Sequence, residues 1–270
     1  MTSLNQIHTR LKLLITGDPA VLASWLKTDS VWKNALPMVT GIVLGCAAYG
    51  FAIGLWRAPV QGLFVAIKMP CLIFLTLLVN SLINGMLGLL LGSGMSFRQT
   101  LTACLMSFAI FSLIVGSLSP VAIAVVMDAP RPGEAGTEAW YRAILLTHTS
   151  IIAFAGIVAN HRLLRLIQVF SGSASAGWRT LLAWLAGNLF VGAQLSYNLR
   201  PFFGNPELPV QFLRPNPFDG SFYESVWRLT LASLPRNPDL IAMGWLFIIF
   251  IGLLFIFGIC RTHLHASRPA

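Results

Sequence analysis

The sequence predicts an all-α protein, a polytopic transmembrane helical bundle of about six spans with amphipathic interfacial helices beside it. Three observations carry that prediction. Only 10% of the 270 residues are charged and 56% are hydrophobic, whereas a soluble domain carries roughly a quarter charged residues. Apolar runs of about 20 residues, the length of helix that crosses a hydrocarbon core, recur along the chain. The segments outside those runs show helical spacing of three and four with helix-start signals, and none of the ten-residue alternation of a membrane barrel.

The first element is an N-terminal tail over 1–36. Leu4, Ile7, Leu11 and Leu14 recur at helical spacing with Arg10 and Lys12 beside them, the pattern of a helix lying on a membrane surface. A second short helix follows, with Asp18 as its N-cap and Pro19 in its first turn, and with Val21, Leu22, Trp25 and Trp32 toward one side. Two readings of this tail stand side by side: a surface anchor or partner site, and a pre-membrane segment packed on its own bundle.

Six spans follow at 37–56, 69–92, 100–127, 141–160, 179–199 and 239–260. They divide the chain into four helices over 37–160, a basic amphipathic segment and linker over 161–178, and two helices over 179–260 separated by a long Pro- and aromatic-rich loop at 200–238, with a tail at 261–270. Gly41/Gly45, Gly50/Gly54 and Gly88/Gly92 are small-xxx-small pairs that let helix backbones approach; intramolecular packing is the preferred reading over a dimer seam. Pro120, with Ser117 and Ser119 beside it, marks a kink or a break in the third span. The four cysteines lie in or at the end of apolar runs without CxxC spacing, which favours packing over metal or disulfide. The first long apolar run begins near Leu36, behind a polar tail, so no secretory leader is expected.

Orientation follows from loop charge. With both ends on one side, that side holds 10 Lys/Arg against 8 on the other; the excess points to N-in and C-in. The net charge of +9 is spread over short loops and tails without a basic run, which suits anionic headgroups and argues against nucleic acid.

Polar residues at membrane depth test for transport or catalysis. Asn80, Asn84, His148, Asn188 and Gln194 are the candidates for a polar interior; interhelical hydrogen bonding is the preferred reading, a permeation path the other. No Asp or Glu falls within a span core, and Lys68 is placed at a span edge where its stem can snorkel. His148 is the one histidine deep in a span, and the absence of a partner for metal or haem ligation favours a neutral, hydrogen-bonded ring. HExxH, GxSxG and phosphate-loop signatures are missing, so neither catalytic, cofactor nor metal residues are assigned and a non-enzymatic role is expected.

The loop before the last span is the most specific stretch. Arg200-Pro201 and Arg214-Pro215, with Pro206, Pro209 and Pro217, rule out regular helix over 200–218. Ser221 and Glu224 then form an S-x-x-E capping box for a helix from about Phe222 to Leu234. Arg200, Phe202, Phe203, Phe212, Arg214, Phe218, Tyr223 and Trp227 make up a candidate docking surface for lipid headgroups or other membrane subunits. In span density behind a soluble-side N-terminal tail, the chain resembles the uncharacterised polytopic membrane proteins of bacteria and, loosely, Yip1-like proteins. The resemblance is architectural and covers the span region; it implies an adaptor role, the family's short acidic and Gly-Tyr signatures are absent, and no residue is carried over. The expectation is a scaffold, anchor or accessory subunit of a membrane complex, with a channel or facilitator for a small solute as the alternative.

Overall fold

The computed structural model describes residues 3–27, 31–132, 134–204 and 209–233. Every element among them is an α-helix: α1 (Ser3–Thr16), α2 (Pro19–Lys27), α3 (Val31–Leu55), α4 (Pro59–Leu90), α5 (Phe97–Ser117), α6 (Ser119–Met127), α7 (Thr137–Ser171), α8 (Ala174–Asn198) and α9 (Phe222–Ser233). The chain forms two compact units, 1–219 and 220–270, and α9 is the described part of the second.

Among the described residues, four helical segments are long and apolar enough to cross a membrane: Ala35–Leu55, Pro59–Leu90, Phe97–Met127 and Thr137–Ser171. They correspond to the first four expected spans and make this a multi-pass, membrane-embedded chain. The fifth expected span lies on α8, whose second half carries Asn188, Gln194, Ser196 and Asn198 and which is not among those four. The expected span at 239–260 lies outside the described residues, as does the tail at 261–270.

Two boundaries differ from the sequence expectation. The second membrane helix begins at Pro59 rather than near residue 69, because the α3–α4 turn is confined to residues 56–58 and Pro59 starts the next helix. Lys68 therefore lies well inside α4 and is fully buried, so it does not snorkel from an edge. The 161–178 segment is likewise not a separate helix with a flexible linker. Leu163, Leu164, Leu166 and Ile167 keep α7 packed on the bundle beyond residue 160, and the helix runs unbroken to Ser171. Only Gly172, in the left-handed region at φ 61°, and Ser173 separate it from α8, with the Ser173 side chain accepting from the Ala176 N–H at 3.3 Å.

Helix α3 is central, packing on α4, α5 and α6, while α8 lies against α4 and α7. Glycine makes the central crossings possible. A Cβ at Gly45 would sit 2.1 Å from the Ser112 carbonyl oxygen of α5, and one at Gly116 would sit 2.6 Å from the Gly45 Cα. At Gly50 and Gly54 the obstructing atoms are the Val65 and Gln61 carbonyl oxygens of α4, each at 2.6 Å. These small-xxx-small positions thus serve contacts within the chain. Pro120 produces a break: α5 stops at Ser117 and α6 starts at Ser119, with the Ser117 and Ser119 hydroxyls donating to the Ile114 and Gly116 carbonyls at 2.7 Å each.

The N-terminal helices form as their spacing predicts, and the Ala20 N–H donates to Asp18 Oδ1 at 2.8 Å. They pack across one end of the bundle: Leu14, Leu22 and Leu26 are buried in the common core, and the Arg162 guanidinium donates to the Gly17 carbonyl at 3.3 Å. Leu14→Ala should therefore destabilise the whole bundle by about 2–4 kcal/mol, whereas Lys12→Ala at the exposed face should leave it unchanged; thermal unfolding in mild detergent measures both.

Candidate functional site

The bundle end opposite α1 and α2 receives the α3–α4 turn, the loop after α6 and the segment after α8. Two polar clusters bear on it or on the adjoining α4–α8 seam.

The first cluster is built on α4. Gln61 and Lys68 are two turns apart on one face, and both are inaccessible, at 0% and 1% exposure. The Lys68 ammonium donates to the Leu199 carbonyl at 3.2 Å, to the Phe212 carbonyl at 2.8 Å and to the Pro201 carbonyl. It also faces the rings of Phe202 and Phe212 at 5.3 and 5.4 Å. Gln61 Nε2 donates to the carbonyls of Pro201 and Phe202 at 3.0 and 3.3 Å. Proline explains why those carbonyls are on offer: 200–218 cannot form regular helix, so its acceptors turn inward to side-chain donors. An ammonium with three donors is matched by three carbonyls, and the charge is met by dipoles and ring faces.

The aromatics of the segment differ in direction. Phe202 and Phe203 are half-buried against the main core. Phe203 lies 5.5 Å from the His148 ring, which accepts or donates at Nδ1 with the Tyr49 hydroxyl at 2.9 Å. Phe212 packs edge-on to Phe64 at 5.4 Å and remains partly exposed, while Phe218 is 84% exposed. Arg200 and Arg214 stand over the Tyr197 ring at 3.6 and 4.8 Å, and Arg214 also donates to the Pro217 and Asp219 carbonyls at 2.7 and 2.5 Å. Of the eight candidate docking residues, the first six belong to this unit. Tyr223 and Trp227 lie on α9 in the other, where the Glu224 N–H donates to Ser221 Oγ at 3.0 Å as the capping signal predicts.

The second cluster joins α4 to α8. Asn80 and Asn84, one turn apart, both donate to Asn188 Oδ1, at 3.0 and 3.2 Å, and Asn80 also donates to the Gly187 carbonyl at 3.2 Å. Their own carbonyl oxygens are buried without a partner among the described residues. A Cβ at Gly187 would meet them at 3.6 and 3.7 Å, so both oxygens border the space glycine leaves open. Gly88 and Trp184 continue the seam, with the Ser93 and Thr100 hydroxyls each 3.3 Å from where a Gly88 Cβ would sit.

Three of the five expected interior residues therefore converge: Asn80, Asn84 and Asn188. His148 pairs with Tyr49 instead, and Gln194 donates along its own helix to Asn198 at 2.9 Å. Lys68 and Gln61 were not among the sequence candidates. Their signal was an unbroken apolar helix running back to Pro59, which places both at helical spacing inside a span. Tyr49→Phe should cost about 1 kcal/mol through the lost hydrogen bond to His148, measurable in the same thermal assay.

Among the described residues no group of three or more His, Cys, Asp or Glu is placed to hold a metal. Comparison with protein-family models, with curated proteins and with solved structures finds no match to this chain.

Proposed function

We propose that the chain is a non-enzymatic scaffold or accessory subunit that presents the 199–218 cover to another membrane protein. The supporting observation is the Lys68–Gln61 clamp: two fully buried donors hold five carbonyl contacts of this segment in one arrangement, and Phe212, Phe218 and Arg200 face outward from it. A rigid aromatic and arginine surface is what a protein interface uses for its central contacts, because little side-chain freedom is lost on binding. The wider reading keeps cytoplasmic termini, from the loop charges, and a bacterial inner membrane and an adaptor role, from the resemblance to polytopic membrane proteins of bacteria and the loose Yip1-like architecture.

The test is site-specific crosslinking in the native membrane from position 218. A discrete adduct with one integral membrane protein, lost in Arg200→Ala and retained in Arg142→Ala, is the expected result. Absence of any adduct from 218, 212 or 200 would remove the support. Phe202→Ala with Phe203→Ala is a poor substitute for this test, because both rings pack inward and the pair should destabilise the bundle itself by about 3 kcal/mol or more.

A facilitator for a small solute is the second reading, favoured by the buried Asn80 and Asn84 side-chain oxygens, which lack a partner among the described residues. Solute flux in liposomes that disappears in Asn84→Leu and Asn188→Leu would favour it over the scaffold.

A further inference from the structure

Seven buried side-chain polar atoms lack a hydrogen-bond partner among the described residues, and five of them lie on the helices of one seam, where α4 packs on α5 and α8. They are Asn80 Oδ1, Asn84 Oδ1, Thr100 Oγ1, Thr180 Oγ1 and Trp184 Nε1, on residues no more than 2% exposed. Two glycines leave room beside them. A Cβ at Gly187 would lie 3.6 and 3.7 Å from the Asn80 and Asn84 oxygens. A Cβ at Gly88 would lie 3.3 Å from both the Thr100 and the Ser93 hydroxyl oxygen, and 3.0 Å from the Trp184 ring at Cζ2. Asn80, Asn84 and Gly88 follow at one-turn intervals on α4, so the two spaces belong to one row about 12 Å long.

We propose that this seam binds a short file of water molecules, one at the Gly187 space and one at the Gly88 space. A polar atom left bare in the interior of a membrane bundle is costly, and these five are concentrated where three helices meet. Chemistry selects the ligand. The two Asn oxygens only accept, the Trp184 N–H only donates, and the threonine hydroxyls do either. A cation would serve the oxygens and oppose the indole N–H, and an anion would do the reverse. Water donates and accepts at once, and a buried water makes about three such bonds. The row ends, among the described residues, at Thr76, whose hydroxyl already donates to the Leu72 carbonyl at 2.8 Å. Bound water here needs no path through the bundle, so the inference does not rest on the facilitator reading.

The full chain in mild detergent is given a short X-ray pulse, which makes hydroxyl radicals from bound as well as bulk water, and the modified residues are read by mass spectrometry. Trp184 is expected to be modified faster than Tyr49, an equally buried ring whose hydroxyl already has His148, and to lose that excess in Thr100→Val. Modification of Trp184 no faster than that of Tyr49, or an excess that survives Thr100→Val, would overturn the proposal. Thermal unfolding of the same variant gives a second answer, because valine keeps the shape of threonine and removes the hydroxyl. Loss of a hydroxyl bonded to water lowers the unfolding temperature, whereas loss of a bare buried hydroxyl raises it or leaves it unchanged. A lowered unfolding temperature is expected, and either other result counts against bound water at the Gly88 space.

Discussion

Gly45→Leu is expected to abolish folded protein, and Gly45→Ala alone to destabilise it by about 3 kcal/mol or more, at the upper end of what overpacking costs. A Cβ at this position would lie 2.1 Å from the Ser112 carbonyl oxygen and 2.6 Å from its carbon. Those atoms are backbone in the middle of α5 and cannot swing aside as a side chain would. Relief requires α3 and α5 to separate, which also pulls apart the Cys46–Ser112 contact at 3.1 Å and the packing of Gly116 on Gly45. Size-exclusion profiles and thermal unfolding in mild detergent report the loss. Gly156→Ala is the matched control, since nothing lies within 4 Å of its Cβ position on α7; it should be neutral or stabilising by up to about 1 kcal/mol.

Lys68→Met is expected to cost about 2–4 kcal/mol and to free the 199–212 segment. Burying an ammonium is itself unfavourable, so an apolar replacement removes a penalty as well as contacts. What decides the sign is the other side of the bonds. The carbonyls of Leu199, Pro201 and Phe212 stay where proline chemistry puts them, and methionine leaves all three without this donor. Gln61→Leu should act in the same direction and less strongly, because Pro201 keeps Lys68. Limited proteolysis near residue 212, faster in Lys68→Met than in the parent while α1 cleavage is unchanged, distinguishes a released cover from global unfolding.

Much of the helical content was legible because it follows from local chemistry. Asp18-Pro19 and Ser221 with Glu224 mark helix starts whatever surrounds them, and long apolar runs in lipid admit only helix. Helix ends were less legible. Gln61 and Lys68 lower the hydropathy of the first turns of α4, so composition alone moves the start of that span inward by about ten residues. The same effect in reverse truncated α7, where Arg162 and Arg165 look like a loop although Leu163, Leu164 and Ile167 between them stay on the bundle. Convergence of Asn80 and Asn84 was visible as a one-turn repeat on a single helix. The partner of His148 was not, because Tyr49 is 99 residues distant and nothing local states the rotation of α3 against α7. Phe202 and Phe203 show the same limit: their composition suits a docking surface, and their inward direction depends on carbonyl acceptors held by α4.

The Lys68 clamp also sets an order of events in the making of the protein. Its first carbonyl partner is 131 residues further along the chain and its last is 144. When α4 reaches the bilayer, then, four helices and their connections remain to be synthesised before these carbonyls can receive the ammonium. A lone lysine at the centre of a membrane helix costs about 2.5–3.5 kcal/mol, and less toward the interface. Until the segment after α8 is made, the three backbone oxygens that meet the Lys68 charge are not yet part of the chain.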